Sequence, residues 1–554
     1  MTFVYFIVMV GVLVLVHELG HFVWAKAFGV RVLKLSLGFG PRVAGFQRGG
    51  TEYVISAIPL GGYVRMLGEN PRDRVRPEEL KSSFSGQSLF RRIVIVVGGP
   101  VMNLVFPIVL YFLVFLGDTK LSPATIGVVF PGRPSAGKLQ PGDQVVSVDG
   151  EPIETFYELT RYVEQSAGEP LKLSVMRDGK TREEVLTPVA ATKELPLERT
   201  QRVGRVGIMP HHPVAVIGVT SDTSPAAAAR MRTFDVVVAA AGTPIRRYID
   251  LERVLRGNRG SMVPITYLRP VPVSGALGGL VELDVYEPRL AVLTPEVGEA
   301  SGTERAGIEL ADLYVSHVTS GSPEHRAGLL PGDRLLTLEG HPIELFATFL
   351  EDLRSGRGMQ HELTFRRNGE ILHTRFSLAH MSGMTDYGQP YDRYVVGMRN
   401  WVPARTDPPV DNPSPIMYAA REAFSATSDM AELTLYSIVR LLQGRLSVKS
   451  IGGPLTIFEV AGTAAREGAL NYLTLMAFIS INLGLINLLP IPLLDGGHMM
   501  FVLYEAVVRR PISTRMREYA HIAGLLVLVA IMILAFKNDL ERQWPRILDQ
   551  ITSQ

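Results

Sequence analysis

The sequence contains no cysteine, which excludes disulfide bonds and thiolate metal ligands. Charge is locally scarce as well: four stretches are almost free of Asp, Glu, Lys and Arg, and each is long enough to cross a bilayer. They are Thr2 to Trp24 (interrupted only by Glu18), Ile93 to Gly117, Gly468 to Leu494 and Tyr519 to Phe536. These spans alternate with ordinary soluble sequence, so the chain is not one fold.

Basic residues are absent before the first stretch, whereas residues 26–92 hold 12 basic residues against five acidic ones. The loop after the third stretch carries four arginines between residues 509 and 517. Loops rich in Lys and Arg stay in the cytoplasm. The pattern therefore predicts that both loops are cytoplasmic and that residues 118–467 lie outside. The lack of a basic leader and of a cleavage site predicts that the first span is retained.

A fifth candidate, Ile416 to Leu442, contains five charged residues. This predicts an amphipathic helix on the membrane surface rather than a span. A buried soluble helix is the alternative.

A metal-binding motif, His17-Glu18-Leu19-Gly20-His21, lies within the first apolar stretch. Two histidines four apart on a helix can both reach one Zn²⁺, and the Glu beside the first can act on a metal-bound water. A carboxylate inside a span costs roughly 2.5 to 3.5 kcal/mol and usually serves a site. The alternative is a polar pair that reaches from the helix end to lipid headgroups.

A catalytic zinc ion usually takes three protein ligands, and the end of the third span offers Asp495. Spans one and three run in the same direction if one span separates them, so Asp495 and the His pair fall at the same membrane depth. Asp495 could instead cap the next helix. His498 is a rival third ligand, or a residue that supports the ligands.

The segment between spans two and three is a repeat. Pro141-Gly142-Asp143 returns as Pro331-Gly332-Asp333 and, in degraded form, as Thr233-Phe234-Asp235, so the aspartates are 92 and 98 residues apart. This spacing predicts one small domain per copy. Each copy continues with a strand, a Gly turn and a helix, and resembles bacterial PDZ domains. Such domains add an extended peptide to a sheet edge; spacer domains that bind no peptide are the alternative, above all for the middle copy.

The predicted domains follow from these features. They are residues 1–118 (two spans and a hairpin loop), 119–202, 203–292 and 293–400 (three PDZ-like domains, the second degenerate), 401–450 (the surface-helix region) and 451–554 (the last two spans).

The set of motifs resembles the site-2 protease family of intramembrane zinc proteases. It comprises the His-Glu motif in the first span, Gly99-Pro100-Val101-Met102-Asn103 in the second, Asn-x-x-Pro-x-Pro-x-Leu-Asp-Gly from Asn487, and PDZ-like domains between spans two and three. The familiar bacterial member has two PDZ domains, and this chain has three copies. The resemblance implies one Zn²⁺ per chain held by His17, His21 and Asp495, with Glu18 as general base.

Further site residues follow from the same resemblance. The loop from Lys34 to Met66 alternates like two strands around Gly49-Gly50, and in the family such a hairpin dips into the membrane and pairs with the substrate; an ordinary cytoplasmic hairpin is the alternative. The expected substrate-binding residues are Tyr63, Val64, Arg65, Met66, Asn482, Asn487, Pro490 and Pro492, with Asn103 and His498 as further candidates. The asparagines could instead pack the helices.

The expected fold is thus a polytopic α-helical membrane protein with four transmembrane helices, a membrane-associated β-hairpin and three PDZ-like α+β domains. The resemblance implies that it cuts a single-span membrane protein of the anti-sigma-factor type, in or near its span, after a first extracytoplasmic cut. The expected location is the bacterial inner membrane, with the PDZ-like domains outside and the site near the cytoplasm. Expected partners are such substrates, peptide or chain-end ligands of the PDZ-like domains and the bilayer, and no nucleic acid.

Two other classes explain less of the sequence. An inactive membrane-tethered PDZ scaffold leaves the metal-ligand set and Glu18 without a role. A metal transporter needs neither a Glu beside the first His nor a PDZ array.

Overall fold

The computed structural model describes residues 1–70, 75–195, 199–273, 283–356, 358–384, 390–510 and 512–552. The chain forms two compact units. One is built mainly from residues 1–119 and 414–554, and the other from residues 120–383 and 390–413.

The described residues include ten helices of at least ten residues. They are α1 Thr2–Ala27, α2 Leu89–Phe115, α3 Phe156–Gln165, α4 Tyr248–Gly257, α5 Phe346–Ser355, α6 Pro415–Leu442, α7 Pro454–Glu467, α8 Ala469–Asn487, α9 Asp495–Val508 and α10 Thr514–Thr552. One-turn helices occupy Pro225–Ala228, Gly302–Arg305 and Pro323–Arg326.

Four of these helices are long and apolar enough to cross a membrane: α1, α2, α8 and the first thirty residues of α10. They correspond to the four predicted spans. The third span is shorter than the predicted Gly468 to Leu494, because α8 ends at Asn487. Pro490 and Pro492 follow three and five residues later, where proline cannot continue a helix, and α9 then begins at Asp495.

The loop after α1 is a long antiparallel pair, β1 Val32–Arg48 and β2 Thr51–Met66. Both strands bend. Residues 34–37 pair on one side with residues 52–55, and residues 32–37 pair on the other side with residues 62–66. Residues 42–48 pair with the far side of residues 51–56. The result is a four-segment sheet with residues 62–66 at one edge.

The second unit contains three sheets of four strands, each with the same order. Their strands are β3 Gln144–Val148, β4 Glu151–Pro152, β5 Leu171–Arg177 and β6 Lys180–Leu186; β7 Val236–Ala240, β8 Thr243–Pro244, β9 Val263–Val273 and β10 Leu283–Leu293; and β11 Arg334–Leu338, β12 His341–Pro342, β13 Gln360–Arg367 and β14 Glu370–Ser377. The orders are β4-β3-β5-β6, β8-β7-β9-β10 and β12-β11-β13-β14. Each sheet packs with one helix (α3, α4 or α5) around its own hydrophobic core. We call each of these sheet-and-helix domains a module and number them 1, 2 and 3 in chain order.

A short strand pair closes each module. The pairs are Val128–Val129 with Ile208–Met209, Ile217–Val219 with Ile308–Leu310, and His317–Val318 with Met398–Arg399. The closing strands of modules 1 and 2 therefore lie beyond the predicted limits at residues 202 and 292. The repeated Asp motif marks the start of each copy but carries no signal for its end.

The repeated aspartate has a structural role. Asp143 receives two hydrogen bonds from Arg177, at 2.7 and 2.6 Å, and also accepts the backbone N–H of Gln140. Asp235 with Arg269 and Asp333 with Arg367 repeat this arrangement, each pair again 34 residues apart. Each Asp is 1% exposed, so the paired Arg compensates a buried charge. Thus the degenerate middle copy keeps the same buried Asp–Arg pair as the other two copies.

The helix predicted for Ile416 to Leu442 is present as α6, and it is not among the candidate spans of the described chain. Its Ala419 and Ala423 are buried. Ala423 shares a hydrophobic core with Leu110 and Tyr111 of α2, so one face of α6 packs on the spans. Its position at the membrane surface stays a prediction.

Candidate metal centre

Glycines bring α1 and α2 into backbone contact. A Cβ on Gly20 would lie 2.2 Å from the carbonyl oxygen of Gly98 and 2.8 Å from the Cα of Gly99. No side chain fits in such a gap, and small residues are what allow close approach between apolar helices. Gly20 lies inside the His-Glu motif, so the contact sets His17 and His21 directly against α2.

The two histidines and Asp495 meet at one point. Nε2 of His17 is 3.3 Å from Nε2 of His21, and Oδ2 of Asp495 is 3.0 Å and 3.5 Å from these atoms. Zinc–nitrogen bonds of about 2.0 to 2.1 Å in a tetrahedral site place neighbouring ligand atoms about 3.3 Å apart. The three donors thus fit a single Zn²⁺, and they form the one group of this kind among the described residues.

The other ring nitrogens are held so that the donors face the site. Nδ1–H of His21 donates to the Ile95 carbonyl oxygen at 2.9 Å, which leaves a lone pair on Nε2. Nδ2 of Asn103 lies 3.1 Å from Nδ1 of His17, while its own Oδ1 is buried without a partner. A half-turn of this amide places Oδ1 where it accepts Nδ1–H of His17, and Nε2 then also presents a lone pair.

The space between the imidazoles depends on Gly99. A Cβ at this position would lie 2.3 Å from Nε2 of His21 and 2.9 Å from Cε1 of His17. Any other residue would therefore enter the volume where the donor atoms converge.

The turn between α8 and α9 carries Asp495 to the histidines. Leu493 adopts φ 110°, and a Cβ on Gly497 would lie 2.4 Å from the Ile491 carbonyl oxygen. Gly524 of α10 also passes close to this turn, since a Cβ there would overlap the Pro492 carbonyl oxygen. The turn is thus packed on both sides, which fixes the start of α9. Asp495 is the first residue of that helix. The cap position is Leu494 and no side chain makes a capping hydrogen bond there, so the alternative that Asp495 caps the helix is wrong.

Glu18 faces the sheet edge. A Cβ on Gly62 of β2 would lie 3.2 Å from Cγ of Glu18 and 2.9 Å from Val14. The edge segment of residues 62–66 therefore runs beside the motif on α1. Within it, Val64 and Met66 are buried and Tyr63 stacks on Phe39.

Other residues predicted for the site are more scattered. Nδ2 of Asn482 donates to the Phe478 carbonyl of its own helix, and Asn487 is the last residue of α8. His498 is outside the donor group and lies near His521, with ring centres 5.8 Å apart.

Asn103 is fully buried against His17. Its carbonyl oxygen accepts a hydrogen bond from Ser480 of α8, which ties the third span to the site. Its support of His17 was missed at the sequence level, as were the roles of Ile95 and Gly99. In the sequence, only the motif from Gly99-Pro100 to Asn103 indicated that α2 contributes residues to the metal site.

The chain is similar to known proteins over nearly its whole length. The profile of Peptidase family M50 matches residues 5–531. The chain is 29% identical to the regulator of sigma-E protease RseP of Salmonella typhimurium over 97% of this chain and 98% of that protein. It is also 29% identical to a protein of Neisseria meningitidis named as a zinc metalloprotease, over 98% of this chain and 99% of that protein.

Among solved structures, the PDZ domain of the SdrC-like protein of Listeria innocua is similar to a part of the chain. The identity is 21%, the coverage is 16% of this chain and 94% of that domain, and the TM-score is 0.14. Since the family profile spans nearly all of the sequence, this chain belongs to Peptidase family M50, the site-2 protease family, and is a membrane zinc metalloprotease.

Proposed function

We propose that the chain binds one Zn²⁺ through His17, His21 and Asp495 and hydrolyses a peptide bond in or near the transmembrane segment of a membrane protein. The observation that carries this proposal is the convergence of these three side chains within 4.8 Å of one another, on the apolar helix α1 and at the start of α9. Nitrogen and carboxylate donors in a two-His, one-acid set are typical of catalytic zinc.

Glu18 is the proposed general base. It neighbours the first ligand on α1 and lies beside the sheet edge, so it can face a water at the metal and a peptide at that edge. When bound, zinc polarises the scissile carbonyl and lowers the pKa of a coordinated water. Glu18 would accept a proton from a water at this site and pass it to the leaving amine.

The edge segment of β2 is the proposed substrate platform. A transmembrane helix hides its peptide bonds in its own hydrogen bonds, so it must be extended before it is cut. Residues 62–66 pair with residues 32–37 on one side. Tyr63, Val64, Arg65 and Met66 can therefore offer backbone groups to an unwound substrate next to Glu18. Asn487, Pro490 and Pro492 lie at the break between α8 and α9, where a substrate can enter.

The proposed substrate is a single-span protein of the anti-sigma-factor type that has first been cut outside the membrane. Two observations support this: relatives over nearly the full length carry the sigma-E protease name, and the three modules are inserted between the second and third spans. The proposed place is the bacterial inner membrane, with the modules outside and the metal site near the cytoplasmic side. This placement rests on the basic loops at residues 26–92 and 509–517. There the modules would exclude bulky substrates and bind peptide ends.

The decisive test is the Glu18→Gln substitution. The amide cannot accept a proton, so cleavage of a membrane substrate should fall by about 10²- to 10⁴-fold. Bound zinc should stay near one per chain, because both imidazoles and Asp495 remain. Cleavage is followed by immunoblotting and zinc by metal analysis.

Glu78→Gln, in the loop before α2, is the matched control and should cut normally. Undiminished cleavage by Glu18→Gln would refute the role of Glu18. Loss of zinc from that variant would instead assign Glu18 to metal binding.

A further inference from the structure

The outer face of each module's sheet is built from the same positions of its two longest strands. In module 1 this face carries the ion pair of Lys172 with Glu183 at 2.9 Å. In module 3 the same face holds the ion pair of Glu362 with Arg375 at 2.7 Å, and beside it Thr364 faces His373. Both faces thus carry an exposed ion pair, beside single apolar side chains such as Val185 and Ile371.

Module 2 differs at these positions. Pro264, Thr266 and Leu268 of β9 lie opposite Val292, Leu290 and Pro288 of β10, and these positions include those that hold the ion pairs in the other two modules. Leu290 is 80% exposed and Val292 58% exposed. Met262, just before β9, is 76% exposed. None of these six positions carries a charge. Leu268 packs against a buried cluster that includes Tyr314, whereas Leu290 and Val292 stay exposed.

Leu290 also lines a cleft of about 1260 Å³ between modules 2 and 3. The cleft is dominated by arginines. They are Arg230, Arg232, Arg269, Arg289, Arg334 and Arg366.

The cleft has more positive than negative charge. Glu309 is shared by Arg334 and Arg366 and also accepts a hydrogen bond from Tyr314. Asp235 pairs with Arg269, and Glu287 pairs with Arg289. With Asp222 on the cleft wall, four carboxylates face six arginines, which leaves a net charge of +2.

The excess charge is available for a ligand. Arg230 and Arg232 are exposed and have no ion pair within the described part of the chain. A basic cleft that continues into an apolar face is complementary to a segment that has both carboxylates and apolar side chains. A concave site of this size suits an extended chain, whereas a flat bilayer cannot enter it.

We propose that the apolar face of module 2 and the arginine-lined cleft form one docking surface for an acidic, leucine-containing segment of a partner protein. Such docking would place a partner on the module array without using a PDZ peptide groove, and it does not depend on the zinc chemistry.

The test uses the full-length protein in neutral-lipid nanodiscs and a fluorescein-labelled peptide made of two repeats of Glu-Leu-Glu-Gly-Leu-Glu. Fluorescence anisotropy should show saturable binding that weakens as salt is added. The same peptide with Gln in place of Glu should bind about tenfold more weakly or not at all. Binding of both peptides with equal strength would overturn the proposed role of charge.

Matched variants locate the surface. The double substitution Arg230→Glu with Arg232→Glu should weaken binding by about tenfold or more. The same charge change on the edge strand of module 1, Lys180→Glu with Arg182→Glu, should leave it unchanged. Leu290→Gln should weaken binding while Val185→Gln, on the corresponding face of module 1, should not. Equal losses in target and control variants, or no loss in either, would overturn the proposal.

Anionic lipid is the other ligand that could occupy this basic surface, and a competition experiment distinguishes it from a protein segment. If nanodiscs that contain phosphatidylglycerol bind the peptide as neutral nanodiscs do, lipid does not compete and the protein partner stands. If the anionic lipid abolishes peptide binding, the surface is a lipid contact and the proposal is overturned.

Discussion

The metal centre is built once and the modules are built three times, and the two regions depend on different physics. The metal centre depends on contacts so close that only glycine fits, at Gly20, Gly99 and Gly497. Each module depends on a buried Asp–Arg pair and an apolar core that tolerate wide change elsewhere. The positions of the metal-binding groups are fixed because no side chain larger than glycine fits at these contacts. The modules are held instead by the same set of hydrogen bonds, which is repeated in three otherwise different sequences.

The three modules also differ among themselves in an informative way. Their internal pairs are the same, but the outer face of module 2 has exchanged charge for apolar side chains. In the modules the internal Asp–Arg pair is thus independent of the surface residues, whereas in the metal centre Asn103, Ile95 and Gly99 contact the histidines directly.

The largest effect is expected from Gly99→Val. Its side chain would occupy the space between the two imidazoles, so we expect bound zinc to be lost and cleavage to fall below detection, as measured by metal analysis and substrate immunoblotting. Gly11→Val, on α1 where a Cβ meets nothing within 4 Å, is the control and should retain zinc. If Gly99→Val still bound zinc, a side chain at position 99 would not block the space between the imidazoles and the prediction would be wrong.

Next come the ligands and their support. Outer partners of metal-bound histidines are typically worth about 10- to 100-fold in metal affinity. Asn103→Ala should weaken zinc binding by about that factor, and Asp495→Ala by more, in a competition titration with a chelator. His498→Ala should change it little, because His498 lies outside the donor group. Full zinc affinity in Asp495→Ala together with loss in His498→Ala would reverse the ligand assignment.

A smaller, local effect is expected in the modules. Asp235→Ala leaves Arg269 buried without its partner, which should destabilise module 2 by about 3 kcal/mol. Hydrogen exchange of the full-length protein should show faster exchange in β7 and β9 with zinc unchanged. Glu183→Ala removes an exposed ion pair and should cost less than about 1 kcal/mol. Equal effects of the two substitutions would show that the buried pair of Asp235 with Arg269 does not stabilise module 2 more than an exposed ion pair does.

The smallest effect concerns pH. Burial lowers the pKa of His212 below its ordinary 6.5, against the opposing charges of Asp407 and Asp250 and with the support of Arg247. The folded state thus favours neutral His212, and its contribution to stability is present above pH 6.5 and is lost as the pH falls below that value.

Hydrogen exchange at the strand pair of His212–Pro213 with Ala404–Arg405 should accelerate on acidification. His212→Gln should remove this pH dependence. An unchanged pH profile in that variant would assign it to other groups.

Sequence patterns predicted the four spans, the helix at residues 416–442, the repeat and the three donors, because each depends on local composition or fixed spacing. Charge-free stretches reveal membrane spans, and His17 and His21 are ligand-spaced on any helix. The ends of modules 1 and 2 and the early end of α8 were mispredicted, since strand pairing and a proline turn decided them.

What the sequence determined by itself is the set of groups available for the chemistry: two histidines and Glu18 inside one apolar span and Asp495 after another, with no cysteine to take their place. Only the tertiary structure decided that Asn103 and Ile95 orient the imidazoles and that Gly99 leaves room between them. It also decided that the outer face of module 2 meets an arginine-lined cleft. These features join residues far apart in the chain, and close approach between helices or between modules cannot be deduced from spacing along the sequence.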